Sequence, residues 1–199
     1  MCGRYFVEGA LLDEARLRVF FEQIKARVER SSEQLDIRFE GEVRPADAAC
    51  AIACNRDLEP AGFAMRWGFE NPVRPGLLIN ARSETASTLP LFSESARQRR
   101  CILPASSYFE WGPAEAKKKH AFATASGEPC LLGGLYVPPP AGERLARFVV
   151  LTRPAAPNVA HIHHRMPVII PEARIEDWLS HDVPFASAMS LTTDEVVLA

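Results

Sequence analysis

The sequence has no hydrophobic run that approaches the roughly 20 consecutive apolar residues of a membrane-spanning helix. The first fifteen residues also lack the apolar stretch of a secretory signal, because charged side chains recur at positions 4, 8, 13 and 14. These absences argue against a membrane partner, and we expect a cytoplasmic protein.

Cysteine is scarce and irregularly spaced, and the number of cysteines, five, is odd. Such a set does not form the framework of a disulfide-stabilised secreted domain and is typical of reduced thiols inside a cell. The five residues are Cys2, Cys50, Cys54, Cys101 and Cys130.

Neither sign of charge is in excess, since 23 basic residues accompany 25 acidic ones and the net charge is −2. A nucleic acid would therefore have to bind a local basic surface, because the protein as a whole is not basic. Arginines are spread along the chain, and the planar guanidinium group suits phosphate recognition. A genome rich in G and C would explain the same arginine content without any binding role.

No internal repeat, linker or regular strand–helix alternation is present, which favours an α+β fold over a doubly wound sheet. We expect one domain over residues 1–199. Periodicity predicts helices over 11–29 and 93–100 and after Pro171, with 30–47 mainly loop and 183–199 irregular before a last short strand. Other strands are predicted over 48–54, 63–67, 101–111, 120–125, 130–137, 146–153 and 166–170.

The first five residues, Met-Cys-Gly-Arg-Tyr, contain an unusual reactive group. If Met1 is removed, Cys2 carries a free α-amine two carbons from its thiol, and the pair can convert an aldehyde into a five-membered thiazolidine ring. An α-amine has a reference pKa of about 7.7–8.0, well below that of lysine, so a much larger fraction of it than of a lysine is unprotonated near neutral pH. The alternative is a frayed terminus with a small buried cysteine.

Two polar clusters follow predicted strands. In the segment from Asn80 to Thr85, Asn80 and Arg82 would face the same side of an extended chain and could hold a phosphate or orient an amine. The same segment could instead be a helix entrance. Glu110 lies between two aromatic residues; if buried, its pKa would be raised and suit general acid–base chemistry. A glutamate at a strand edge would simply face water.

The last cluster runs from His161 to Pro167 and contains three histidines in four positions. A metal site with Cys50 and Cys54 as partners is conceivable, but the cysteine spacing does not match a zinc knuckle. Acid–base chemistry by a histidine, together with phosphate binding by Arg165, fits the segment better. We therefore expect no metal and no other cofactor.

In their order and spacing from Cys2 to about Pro171, the four clusters resemble the SRAP family, the SOS-response-associated peptidases or abasic-site processing proteins. The resemblance implies an α+β fold in which bent antiparallel sheets form a barrel-like core flanked by helices. It also implies a role in the SOS response and DNA repair: covalent capture of abasic sites in single-stranded DNA through a thiazolidine. Peptidase activity on the residue before the cysteine is implied as well.

The resemblance also assigns roles to residues of this chain. Cys2 would be the nucleophile, and Asn80 would position its amine or the trapped sugar. Glu110 would move protons during ring opening and Schiff-base formation, and His163 would act on the sugar oxygen and in reversal. The implied DNA-binding residues are Arg4, Arg82, Thr152 and Arg165 at phosphates and Pro45 and Trp67 at the bases. The chain departs from the family after Gly68, where residues 70–73 replace a usual Pro-x-Trp.

Two other functions remain open at this point. An N-terminal-nucleophile amidohydrolase would use Cys2 against an amide with its own amine as the base. A non-covalent single-strand-binding module would rely on the arginines alone. We expect a monomer in each case.

Overall fold

The computed structural model describes residues 2–30, 35–112 and 118–199. The strands are β1 (Arg4–Val7), β2 (Ile37–Arg38), β3 (Gly41–Val43), β4 (Ala48–Cys54), β5 (Pro60–Trp67), β6 (Phe69–Glu70), β7 (Leu77–Leu78), β8 (Asn80–Arg82), β9 (Arg100–Ala105), β10 (Ser107–Trp111), β11 (Lys119–Thr124), β12 (Cys130–Val137), β13 (Ala146–Pro154), β14 (Arg165–Pro167) and β15 (Val196–Leu198). The α-helices are α1 (Gly9–Asp13), α2 (Ala15–Glu29), α3 (Ser83–Ala86), α4 (Pro90–Gln98), α5 (Ile175–Leu179) and α6 (Phe185–Met189), and a 3-10 turn spans Glu172–Arg174.

Five strands of the larger sheet close into a ring. Antiparallel pairing joins β12 to β9, β9 to β4 and β4 to β5, and β13 completes the circle by pairing with both β5 and β12. The ring strands β4 and β9 are buried along almost their whole length, which explains their apolar sequences without alternation. The expected barrel-like α+β architecture is confirmed.

A second, five-stranded sheet has the order β15-β11-β10-β1-β3. It carries the N-terminal strand β1 between β10 and β3, with Tyr5 opposite Tyr108 and Val43. Burial alternates along β1 and β10, so one face of this sheet packs into the core. The pairing draws the start of the chain into the molecule.

Helix α2 packs on β5 through Leu17, Phe21 and Ile24. The helix approaches so closely that a Cβ atom on Gly62 would lie 2.1 Å from the carbonyl oxygen of Phe20. Only glycine permits this contact without moving the helix.

The structure corrects several predicted elements. The predicted strand over 101–111 is two strands in different sheets, and the chain turns at Ser106, whose amide donates to the Phe6 carbonyl. The predicted helix over 11–29 is interrupted at Glu14, whose carboxylate caps α2. The region 30–47 contains two short strands besides loop, although 31–34 lie outside the described residues. Helix α6 was not predicted, and β14 ends at Pro167, earlier than expected.

Not all pairing is antiparallel, since β13 runs parallel to β5 and β8, and β2 runs parallel to β4.

In the part of the chain that the structure describes, no helix combines the length and apolar character needed to cross a membrane.

The contact at Gly62 predicts that Gly62→Ala lowers the free energy of unfolding by about 3 kcal/mol, the upper end for overpacking, because the clash is with backbone. Urea unfolding followed by circular dichroism measures the change. Gly9→Ala is the matched control, since its added Cβ would meet only the flexible Glu40 carboxylate. Equal stability of the two variants would contradict the close approach of α2.

Candidate active site

Cys2 lies just before β1 and is completely buried. Its thiol donates to the backbone carbonyl of Arg4 across 3.7 Å. Burial raises the pKa of the Cys2 thiol well above its usual value, and the nearby Glu110 carboxylate adds to the shift. The thiol is therefore held in its neutral form inside the protein, and the position does not match a frayed terminus.

Asn80 connects the ring to Cys2. It begins β8, which pairs in parallel with β13, and its side-chain Nδ2 donates to the Cys2 carbonyl across 3.0 Å. A longer contact of 3.5 Å reaches the Val150 carbonyl. The Oδ1 atom of Asn80 is buried and accepts no hydrogen bond from any described residue, so it can accept one from an amine or a hydroxyl.

Glu110 lies on the inward-facing side of β10 and is 2% exposed. Burial raises the pKa of its carboxyl to about 7. A group with this pKa can both give and accept a proton near neutral pH, as the sequence hypothesis required. Its Oε2 atom lies 3.8 Å from Nδ1 of His163.

His163 is fixed by the backbone of the residue two positions later. Its Nδ1 atom lies 3.1 Å from the amide nitrogen of Arg165 and 3.0 Å from the Arg165 carbonyl oxygen. Burial is the main cause that lowers the pKa of the imidazole. The ring also stacks on the exposed His164, with centroids 4.6 Å apart. A neutral imidazole therefore stands beside Glu110 and can exchange protons with it or with a ligand.

Arg165 is almost buried, and its guanidinium group forms a two-point ion pair with Glu84. One nitrogen also donates to the Thr152 carbonyl at 2.6 Å and reaches the Thr152 hydroxyl at 3.3 Å. The hydrogen bonds from Arg165 lower the pKa of Glu84 to about 2. The Arg165 guanidinium group, which we expected to bind a phosphate, is therefore already bound to a carboxylate.

The other expected DNA-binding residues lie in different surroundings. Arg82 is exposed, whereas Arg4 pairs with Glu42 at 3.0 Å and lies 5.3 Å from the centre of the Trp111 ring. Thr152 is fully buried, and its hydroxyl donates to the Ala81 carbonyl.

Trp67 and Pro45 were expected near the bases. Pro45 is half-buried in the turn after β3. Trp67 is fully buried, stacks on Phe148 at 5.8 Å, and donates its indole N–H to the Ile79 carbonyl. In this conformation the Trp67 ring is a core residue and presents no face to a base.

Sequence reasoning missed the role of Glu84, which lies in the segment from Asn80 to Thr85. Its partner Arg165 is 81 positions away, and no local pattern links them.

Across residues 2–30, 35–112 and 118–199, no three His, Cys, Asp or Glu side chains are grouped so that they could hold a metal ion.

Fold and site together define an α+β protein in which a buried cysteine near the N-terminus lies beside an amide and a carboxyl from distant strands, with a loop imidazole next to the carboxyl. The family model described as SOS response associated peptidase (SRAP) matches residues 1–195. The chain belongs to the SRAP family, and the resemblance inferred from its motifs is confirmed.

The chain is also similar in sequence to two named proteins. The abasic site processing protein YoqW of Bacillus subtilis is 32% identical over 125 residues, which cover 58% of this chain and 56% of YoqW. The abasic site processing protein YedK of Escherichia coli is 28% identical over 146 residues, which cover 71% of this chain and 64% of YedK. The matched segments therefore span less than two thirds of these two relatives.

Solved structures share the fold. A Bacteroides thetaiotaomicron protein superposes with a TM-score of 0.77 at 19% identity, covering 99% of this chain and 90% of its own. A Bordetella bronchiseptica protein superposes with a TM-score of 0.72 at 25% identity, covering 100% of this chain and 98% of its own.

The raised pKa of Glu110 predicts a pH-dependent gain in stability for Glu110→Gln. The folded-state pKa of about 7 exceeds that of an unfolded glutamate, so the folded protein binds more protons and loses stability as pH rises from about 4.3 to 7. We expect Glu110→Gln to raise the free energy of unfolding by about 1–3 kcal/mol at pH 8 and to change it little at pH 4.

Urea unfolding of both proteins at the two pH values measures this difference. Glu22→Gln, at an exposed position on α2, is the control and should show no such pH dependence. A Glu110→Gln variant that is less stable than the parent at pH 8 would show that the carboxylate, and not the acid, is favoured by its surroundings.

Proposed function

We propose that the protein captures abasic sites in single-stranded DNA by forming a thiazolidine between the lesion's aldehyde and Cys2, after removal of Met1. The observation that carries this proposal is the set of contacts around Cys2. Asn80 bonds to its carbonyl at 3.0 Å, and Glu110 is close enough to shift the pKa of its thiol. The relatives' names, which refer to abasic site processing, support the same substrate.

The chemistry starts from a sugar that is mainly a closed hemiacetal. Glu110, whose pKa of about 7 suits proton exchange near neutral pH, donates a proton to the ring oxygen, and its carboxylate then takes up the proton of the hydroxyl on the anomeric carbon as the ring opens to the aldehyde. The free α-amine of Cys2 attacks the aldehyde carbon, and loss of one water leaves a Schiff base.

Ring closure completes the capture. The Cys2 sulfur adds to the carbon of the C=N bond, and the thiol proton passes by way of Glu110 to the nitrogen of the Schiff base, which becomes the amine of a thiazolidine. Because burial keeps the thiol protonated, the α-amine acts first and the thiol second. The neutral imidazole of His163, 3.8 Å from Glu110, can exchange a proton with that carboxyl and with the sugar oxygen when the sugar ring opens or re-forms.

Arg165 and Glu84 have a positioning role in this scheme. Glu84 holds the Arg165 guanidinium, and the Arg165 backbone in turn holds the His163 ring at 3.0 and 3.1 Å. A DNA phosphate that approaches Arg165 must share it with a carboxylate. Arg82, which is exposed, is the more accessible phosphate ligand, and binding through such arginines weakens with salt.

The covalent proposal predicts a slow-migrating band on a denaturing gel when the protein is mixed with a single-stranded oligonucleotide containing an abasic site. Cys2→Ala and a form that retains Met1 should both lose the band completely, because each lacks the terminal aminothiol. Cys54→Ala is the matched control. It removes a different free thiol, which is half-buried, and should keep the slow-migrating band.

Turnover of small amides without a DNA adduct would instead support an amidohydrolase. Tight binding of the oligonucleotide with no covalent band in any variant would support a plain binding module.

The positioning role predicts opposite effects of Glu84→Gln on capture and on binding. We expect covalent capture to slow about tenfold, the equivalent of about 1.4 kcal/mol, because Arg165 and His163 lose their orientation. Non-covalent affinity for unmodified single-stranded DNA should stay equal or increase, because a negative charge competing for Arg165 is removed.

Gel kinetics and fluorescence anisotropy separate the two effects, and Glu22→Gln at an exposed surface position is the control. A Glu84→Gln protein that captures at the normal rate would rule out the positioning role, and a parallel loss of affinity would make Glu84 a binding residue.

A further inference from the structure

A second concave site is formed by the C-terminal part of α2, the turn from β4 to β5 and the loop between β12 and β13. Its volume is about 690 Å³. Sites for small molecules typically measure about 300–1,000 Å³, so the cleft has the size of a ligand-binding site.

The cleft is separate from the site around Cys2. Cys2 is close to Cys130, the first residue of β12, whose charge would raise the pKa of the Cys2 thiol. Tyr136, which lines the cleft, is six residues further along the same strand, a distance of about 20 Å at roughly 3.3 Å per residue. None of Cys2, Asn80, Glu110 and His163 lines the cleft, so the two sites are formed by different residues.

Aromatic and apolar side chains form the wall of the cleft. Phe63 and Tyr136 are half-buried and keep part of their rings accessible, with Met65 buried beside them. The guanidinium of Arg27 lies 4.5 Å from the centre of the Phe63 ring and is anchored on the Gly62 carbonyl. Such a wall suits a flat heteroaromatic ring.

The charge of the cleft is positive although the protein carries a net charge of −2. Four arginines and a single aspartate line it: Arg27, Arg56, Arg99, Arg144 and Asp57. Arg99 pairs with Glu94 at 2.8 Å. Arg27 and Arg56, by contrast, form no ion pair with any carboxylate among the described residues, so their charges are available to an anion.

We propose that this cleft binds a nucleotide, with the base against Phe63 and Tyr136 and the phosphate on Arg27 and Arg56. Apolar stacking surface beside uncompensated guanidinium groups is the combination that recognises a nucleobase carrying a phosphate. A free nucleotide and the phosphorylated end of a nucleic-acid strand share this chemistry. The site goes beyond the capture of abasic sites and does not involve Cys2.

Isothermal titration calorimetry with adenosine 5′-monophosphate tests the proposal, using the protein with Cys2→Ala so that covalent chemistry plays no part. Arg56→Gln should weaken binding about tenfold, the loss of one charged hydrogen bond, without affecting the fold because Arg56 is exposed. Arg18→Gln is the matched control. It also removes one positive charge, but from an exposed position on α2 that does not line the cleft, and it should leave the affinity unchanged. Phe63→Leu should weaken the nucleotide but not inorganic phosphate.

The outcomes separate the sources of the ligand. Competition between a 5′-phosphorylated oligonucleotide and adenosine 5′-monophosphate would point to a strand end, and its absence to a free nucleotide. Three results would each overturn the proposal: no binding of the nucleotide at millimolar concentration, equal affinity in Arg56→Gln and Arg18→Gln, or inorganic phosphate binding as tightly as the nucleotide.

Discussion

The pairing of β1 between β10 and β3 is the constraint on which the site depends. It takes the beginning of the chain, which would otherwise be solvated and mobile, and places Cys2 in the interior. The same pairing brings Glu110 to the cysteine, because β10 is the neighbour of β1 and its burial alternates in step. The start of the chain thus becomes part of the core through backbone hydrogen bonds.

Burial then determines the chemistry. Removal from water is the first cause of the raised pKa of the Cys2 thiol, of the raised pKa of Glu110, and of the lowered pKa of His163. One physical effect therefore gives a neutral thiol, an acid that titrates near pH 7 and a neutral imidazole. A buried carboxyl of this kind costs stability as pH rises from about 4.3 to 7, and the proposed capture would make this an exchange of stability for function.

Much of the candidate site could be predicted because each member sits in a distinctive local pattern. The aromatic neighbours of Glu110 and the terminal position of Cys2 are visible in the sequence, and the strand at Asn80 is short but extended as expected. The closure of the ring depends on the parallel pairing of β13 with β5, two strands that are distant in sequence, and it has no local signature. The burial of Trp67 could not be predicted either, because the local sequence, a tryptophan followed by glycine, is the same whether the ring packs in the core or faces a ligand.

The ion pair between Arg165 and Glu84 shows why residue type alone does not assign a phosphate ligand. A guanidinium group fits a carboxylate and a phosphate with the same fork, so an arginine in a motif can be engaged by either. Here the carboxylate is already in place, and Thr152 binds the same guanidinium. The pair is about half exposed on the Glu84 side, so solvent and an incoming anion can reach it. In the proposed function, competition between the fixed carboxylate and a DNA phosphate would keep the attraction for DNA moderate beside Cys2, while the backbone of Arg165 continues to hold His163 in place.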